Sequence, residues 1–165
     1  MQEFSGSLEF AASADDTVAL VATEEYMRKR YEEPDLLAFE MEIERDDDDA
    51  FECVMRRTFA LTDGVPKMIR RVVGSRFTMI QEHRWTRKGP VYASHGTLRV
   101  DGAPGEVKVN VKVEPLTEST CQLNYNGTIS AGVPIIGKQI EKFLLERVDK
   151  SVEASFSAMA EALQK

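Results

Sequence analysis

His83 is the residue of this chain best placed to do chemistry. On an alternating strand it shares a face with Gln81 and Trp85, and the following strand is expected to bring Tyr92 and Ser94 to that same face. An imidazole among polar neighbours in a cavity serves as a general base or as a hydrogen-bond partner for a ligand's polar group. The plainer alternative is a buried histidine satisfied by Ser94 or by a backbone carbonyl. His95 has the opposite parity and stands across from Glu82, which reads as a solvated surface pair.

Arg57 is the second unusual residue. It falls in phase with Phe51, Cys53, Met55 and Phe59, so a regular strand would point it inward. There it would meet a ligand carboxylate or phosphate as counter-ion; alternatively, a bulge at Arg56-Arg57 would turn it outward. The cost of an unpaired buried guanidinium favours the bulge or a cavity-mouth position.

Three other motifs carry little chemistry. Gly132-Val-Pro-Ile-Ile-Gly137-Lys138-Gln139 has the spacing of a phosphate-binding loop. Gln139 replaces the magnesium-binding Ser or Thr, Pro134 removes a backbone donor, and an antiparallel meander precedes it. Asp46 to Asp49 resembles a calcium loop only in composition and reads as a charged hairpin tip. His83 and His95 diverge by parity, and Cys53 and Cys121 lie far apart, so no metal site is expected. No cofactor is expected either.

The elements that must position these residues follow from periodicity. An opening strand alternates Phe4, Gly6, Leu8 and Phe10 with polar residues. Ser13, Asp15 and Asp16 offer cap chemistry for a short helix, and Thr23 restarts a second that Pro34 closes. The next strand shows Leu37, Phe39, Met41 and Ile43 on one face. Returning strands are predicted over 51–61, 76–86, 91–100, 105–114 and 120–131, with a short helical excursion over 64–74. Pairing Thr86 with Val91 would couple Trp85 with Tyr92, His83 with Ser94 and Gln81 with Gly96.

The last third is a single amphipathic helix from Pro134 to Gln164, with Ile136, Ile140, Phe143, Leu144, Val148, Val152, Phe156, Met159 and Leu163 at helical spacing. One apolar stripe must lie across the sheet. Ser151 and Ser155 fall inside that stripe, where small side chains leave either a void or close packing. Tyr125 and Cys121, on the inner face of the last strand, would line the same volume.

Bulk properties bound the rest. At 165 residues and a formal net charge of −7, the chain reads as one domain, 1–165, with no basic face for nucleic acid or an anionic membrane. It holds no apolar run of the ~20 residues that integral membrane association needs, and no signal peptide is evident. A cytoplasmic location is expected. The clusters Arg28-Lys29-Arg30 and Arg70-Arg71 with Arg76 would be solvated or flank a cavity mouth.

Strand, two short helices, six antiparallel strands and a long C-terminal helix is the element order of the helix-grip fold. The chain resembles the START-like superfamily, which includes pollen-allergen-type proteins, lipid-transfer domains and polyketide cyclases. The segment from Val133 to Leu144, the strand ending in Trp85 and the Gly64-Val65-Pro66 turn resemble an actinobacterial family of unknown function within it. The resemblance implies an α+β fold, a seven-stranded antiparallel sheet wrapped around the long C-terminal helix, and a hydrophobic cavity between them. It supplies no catalytic motif.

The leading reading is therefore the binding or carriage of a small hydrophobic or amphipathic ligand, lipid-like or polyketide-like. Gln81, His83, Trp85, Tyr92, Ser94, Tyr125, Ser151 and Ser155 would line the site, with Arg57 at its mouth. A cyclase or aromatase using His83 and a tyrosine is the alternative. A protein-interaction module with a filled core is the third, and any protein partner is left open.

Overall fold

Strict alternation of apolar and polar residues drives most of the chain into strands, and a change to helical spacing ends them. The computed structural model describes residues 1–62, 65, 67, 70–71 and 74–163. In chain order the elements are β1 (Gln2–Phe10), α1 (Ala14–Val21), α2 (Glu24–Arg30), β2 (Leu36–Asp47), β3 (Ala50–Ala60), β4 (Arg76–Lys88), β5 (Val91–Val100), β6 (Glu106–Thr117), β7 (Thr120–Ser130) and α3 (Gly137–Leu163). The helical excursion expected over 64–74 lies largely outside the described residues, as do Gln164 and the side chains of Phe156 and Leu163.

The strands form one antiparallel sheet in the order β1-β7-β6-β5-β4-β3-β2. Each neighbour in sequence from β2 onward is a neighbour in space, and β1 closes the far edge on β7. Helix α1 starts as expected: the Ser13 side chain accepts from the Asp16 N–H at 3.1 Å, a cap worth ~1 kcal/mol. Helix α3 lies on the inner face, where Phe143 meets Phe77 edge-on at 5.8 Å between ring centroids and Phe77 stacks on Phe59 at 5.2 Å.

Four sequence expectations need correction. The β4–β5 hairpin pairs Lys88 with Val91, so Trp85 faces Ser94, His83 faces Gly96 and Gln81 faces Leu98. Gly89, with a φ of 59°, and Pro90 make a two-residue turn in place of the four-residue one expected from Arg87 to Pro90. The register moves by two, which keeps every side chain on its expected face but changes its partner. Second, a register shift between Leu36 and Ala38 turns Leu37 out to solvent and Leu36 inward.

Third, no bulge occurs at Arg56-Arg57; β3 pairs with β4 residue for residue from Ala50 to Ala60. Fourth, α3 begins at Gly137 rather than Pro134. The preceding turn holds Ile135 at a φ of 73°, a backbone that cannot continue into a right-handed helix.

The core divides in two. One cluster gathers Phe10, Val18, Met27, Tyr31, Phe51, Trp85, Val113 and Met159 beneath α1 and α2. The other packs Phe59, Phe77, Met79, Val107, Ile129, Phe143 and Leu144 beneath the first half of α3. No described helix is long and apolar enough to cross a membrane.

Candidate functional site

A cavity of about 210 Å³ lies between the two core clusters, bounded by the sheet, α1, α2 and the second half of α3. The residue types explain it. Along β6, Val107, Val109, Val111 and Val113 present short branched side chains at the strand period. Opposite them, Ser151, Ala154 and Ser155 replace the bulky Ile140, Phe143 and Leu144 of the helix's first half. The Ser155 Oγ donates to the Ser151 carbonyl at 2.7 Å, so this hydroxyl is satisfied within its own helix.

One end of the cavity is polar and cationic. Among the described residues, Arg30, Arg57, Arg147 and Lys150 border it against Glu32 and Glu33, in a chain whose net charge is −7. Arg147 is paired with Glu33 at 3.2 Å. Arg57 has no carboxylate partner among the described residues. It is 6% exposed, its guanidinium lies 4.1 Å from the centroid of the Tyr31 ring, and it donates to Gln81 Oε1 at 3.0 Å. The cation–π contact and this hydrogen bond are what make the inward position tolerable. Burial pulls the guanidinium's affinity for its proton down, and Tyr31 opposes that shift.

Gln81 connects Arg57 to His83. Arginine can only donate, so the Gln81 oxygen faces Arg57 and its NH₂ group faces His83 Nε2 at 2.5 Å. His83 Nε2 is then an acceptor, which places the ring proton on Nδ1. That nitrogen is buried without a partner and overhangs Gly96, where a Cβ would come within 2.2 Å of it. Burial, then the charges of Arg30 and Arg57, push the His83 pKa down to about 4.

Tyr31 completes the polar end. Its hydroxyl shares a 3.1 Å hydrogen bond with Ser151. Burial alone would raise its pKa, but Arg30 and Arg57, with hydrogen bonds to Ser151 and Gln81, outweigh burial and lower it.

Of the residues expected to line the site, Gln81, His83, Trp85, Tyr125, Ser151 and Ser155 border this cavity, and Arg57 belongs to its wall rather than its rim. Tyr92 and Ser94 do not. Tyr92 donates to Asp15 Oδ1 at 2.6 Å away from the cavity, and burial followed by Asp15 pushes its pKa up to about 12. Ser94 is buried opposite Trp85. Cys121, also expected here, is packed against Thr17 at 3.3 Å. The expected Glu82–His95 pair does not form; the two-residue register change sets His95 against Arg84, and its Nδ1 bonds Asn110 at 2.6 Å.

Sequence reasoning missed Tyr31, Arg147 and the β6 valines. The valines carried a signal, an unbroken run of small apolar residues on one face of β6. Tyr31, at the C-cap of α2, carried none that periodicity could register.

A family model described as "Protein of unknown function (DUF2505)" matches residues 5–163. No curated protein is significantly similar in sequence. Among solved structures, a START superfamily protein from Mycobacterium smegmatis is similar at 15% identity and a TM-score of 0.60, over 98% of this chain and 98% of that one. The Zhui aromatase/cyclase from Streptomyces sp. R1128 is similar at 15% identity and 0.58, over 99% and 93%. The human StarD13 lipid transfer and protein localization domain is similar at 10% identity and 0.56, over 96% and 75%. At these identities the likeness establishes the fold: a START-like helix grip, as the element order implied.

Proposed function

Since the chain belongs to the DUF2505 family, described only as proteins of unknown function, we propose a function from its geometry: it binds and carries a small hydrophobic or amphipathic molecule between the sheet and α3. The observation that carries this reading is the cavity of about 210 Å³ with one apolar and one polar end. β1, α1, α2 and α3 all border it, so the binding unit is taken as the whole chain, 1–165.

Its size restricts the occupant. The volume falls just below the ~300 Å³ at which ordinary ligand pockets begin. A single ring or a short chain fits; a two-chain lipid does not. Burying ~150 Å² of such a ligand at ~25 cal/mol per Å² contributes about 4 kcal/mol before ordering costs. The polar residues then set orientation. The free thiols Cys53 and Cys121 fit the cytoplasmic location we propose with it.

The cyclase alternative needs a histidine and a tyrosine that exchange protons at one ligand atom. His83, with its pKa near 4, is a weak base whose Nε2 is already engaged. Tyr92 is turned to Asp15 and holds its proton more tightly than usual. Tyr31, which borders the cavity and has a lowered pKa, already shares its hydroxyl with Ser151. These features favour His83 as a fixed polar anchor.

Native mass spectrometry of protein purified without detergent, before and after organic extraction, tests the proposal. A discrete adduct of small mass that extraction releases is expected. A bare mass, together with no uptake of a neutral hydrophobic fluorophore, overturns it in favour of a filled-core interaction module.

A further inference from the structure

We infer that the ligand is a small organic anion, a monocarboxylate whose head group is taken by Arg57 with Arg30 and His83 while its apolar body lies along β6. This rests on the ligand-binding reading above and names the chemistry of its polar end.

Two independent observations lead there. The first concerns hydrogen bonding. Buried polar side-chain atoms without a partner include Arg30 Nε, Arg57 Nε, His83 Nδ1 and Trp85 Nε1, and all four residues border the same cavity. Arginine and tryptophan nitrogens can only donate, and Gln81 makes His83 Nδ1 a donor as well. Among the described residues, every unmet demand at the cavity is therefore for an acceptor, and buried donors left unmet are costly.

The second concerns charge. Arg147 is answered by Glu33, whereas Arg57, at 6% exposure, has no ion-pair partner among the described residues. It hydrogen-bonds a neutral amide and lies against aromatic faces, and the Glu33 carboxylate acts on it only at longer range. Arg30 adds a second guanidinium over the same Tyr31 ring, at 4.9 Å. A cationic ligand would be repelled, and a neutral alcohol would supply an acceptor without a charge. A carboxylate supplies two acceptor oxygens and one negative charge, the complement of one fully buried guanidinium. A phosphate dianion would match both guanidinium groups in charge, but its second charge would fall to Arg30, which is only half-buried and screened by solvent.

Calorimetric titration of the full chain with octanoate, octanol and octyl phosphate tests this. Octanoate is expected to bind roughly 10–100-fold more tightly than octanol, the worth of a charge-assisted hydrogen bond. Arg57→Met should bring acid and alcohol within about threefold of each other. Arg30→Met, at a half-buried position, should narrow the gap in part and serves if Arg57→Met does not fold. Equal affinity for octanoate and octanol overturns the anion assignment and leaves the binding cavity standing. Tighter binding of octyl phosphate than octanoate overturns the carboxylate assignment. Heat from none of the three overturns the ligand-binding reading itself, and this inference with it.

Discussion

Arg57 sets the tautomer of His83 without touching it. The guanidinium takes the Gln81 oxygen at 3.0 Å, which leaves the Gln81 NH₂ group to donate to His83 Nε2 and the ring proton on Nδ1. Burial, then the charge of Arg30 and that of Arg57 itself, oppose protonation of the ring. Burial above all keeps the ring neutral, while Arg57, acting through Gln81, makes it a donor.

That relationship makes folding stability pH-dependent. The folded-state pKa of His83, about 4, lies below the ~6.5 of an unfolded histidine, so between these values the unfolded chain binds the extra proton. Stability is fully present above pH ~6.5 and is lost as pH falls toward 4. Denaturant titrations at pH 7 and pH 5 should differ by about 2 kcal/mol from this group. His83→Leu should remove that part of the difference. An unchanged pH slope in the variant would show that His83 is not held neutral.

Arg57→Met and Gln81→Leu should move stability in opposite directions. Replacing a buried, carboxylate-free cation by an apolar side chain of similar length is expected to be neutral or to stabilise the ligand-free protein by about 1 kcal/mol. Removing Gln81 strands the guanidinium and should cost roughly 2 kcal/mol. Thermal melts of the two variants decide this; loss of stability in Arg57→Met would mean that the guanidinium is structurally required.

Ser155→Phe should fill the cavity while leaving the fold in place. Its hydroxyl bonds only to its own helix, so no tertiary hydrogen bond is lost, and the ring would occupy the void that Ser155 borders. Stability should change by less than ~1.5 kcal/mol, while uptake of a neutral hydrophobic fluorophore should fall at least about tenfold. Retained uptake would place the ligand elsewhere.

Gly96→Ala tests the close approach beneath His83. An added Cβ would sit 2.2 Å from His83 Nδ1 and 2.8 Å from the Glu82 carbonyl, so the ring must shift and the Gln81 contact with it. A cost of 1–3 kcal/mol is expected, together with a changed histidine NMR titration. An unperturbed imidazole signal would show that the ring has room to spare.

The architecture was legible because it follows from local periods. Alternation in β1 to β7 and the helical stripe of α3 each require a single buried face, and only a sheet laid against that helix buries both. Parity also placed Gln81, His83, Trp85 and Arg57 on the inner face, because a strand's side-chain direction needs no partner to be defined. Register was not so determined. It depends on whether the chain turns in two residues or four, and Gly89-Pro90 resolves that through a backbone geometry that alternation does not encode.

Only the tertiary structure decided what Arg57 does. From sequence, an inward arginine without a carboxylate in phase argues for a bulge or a cavity-mouth position, because desolvation is costly. Folding brings the ring of Tyr31 from the end of α2 over the guanidinium, and Gln81 from the neighbouring strand beneath it. Those partners are distant in sequence and carry no periodic signal. The polar end of the cavity therefore exists only in the assembled fold, whereas its apolar walls were already written in the strand and helix repeats.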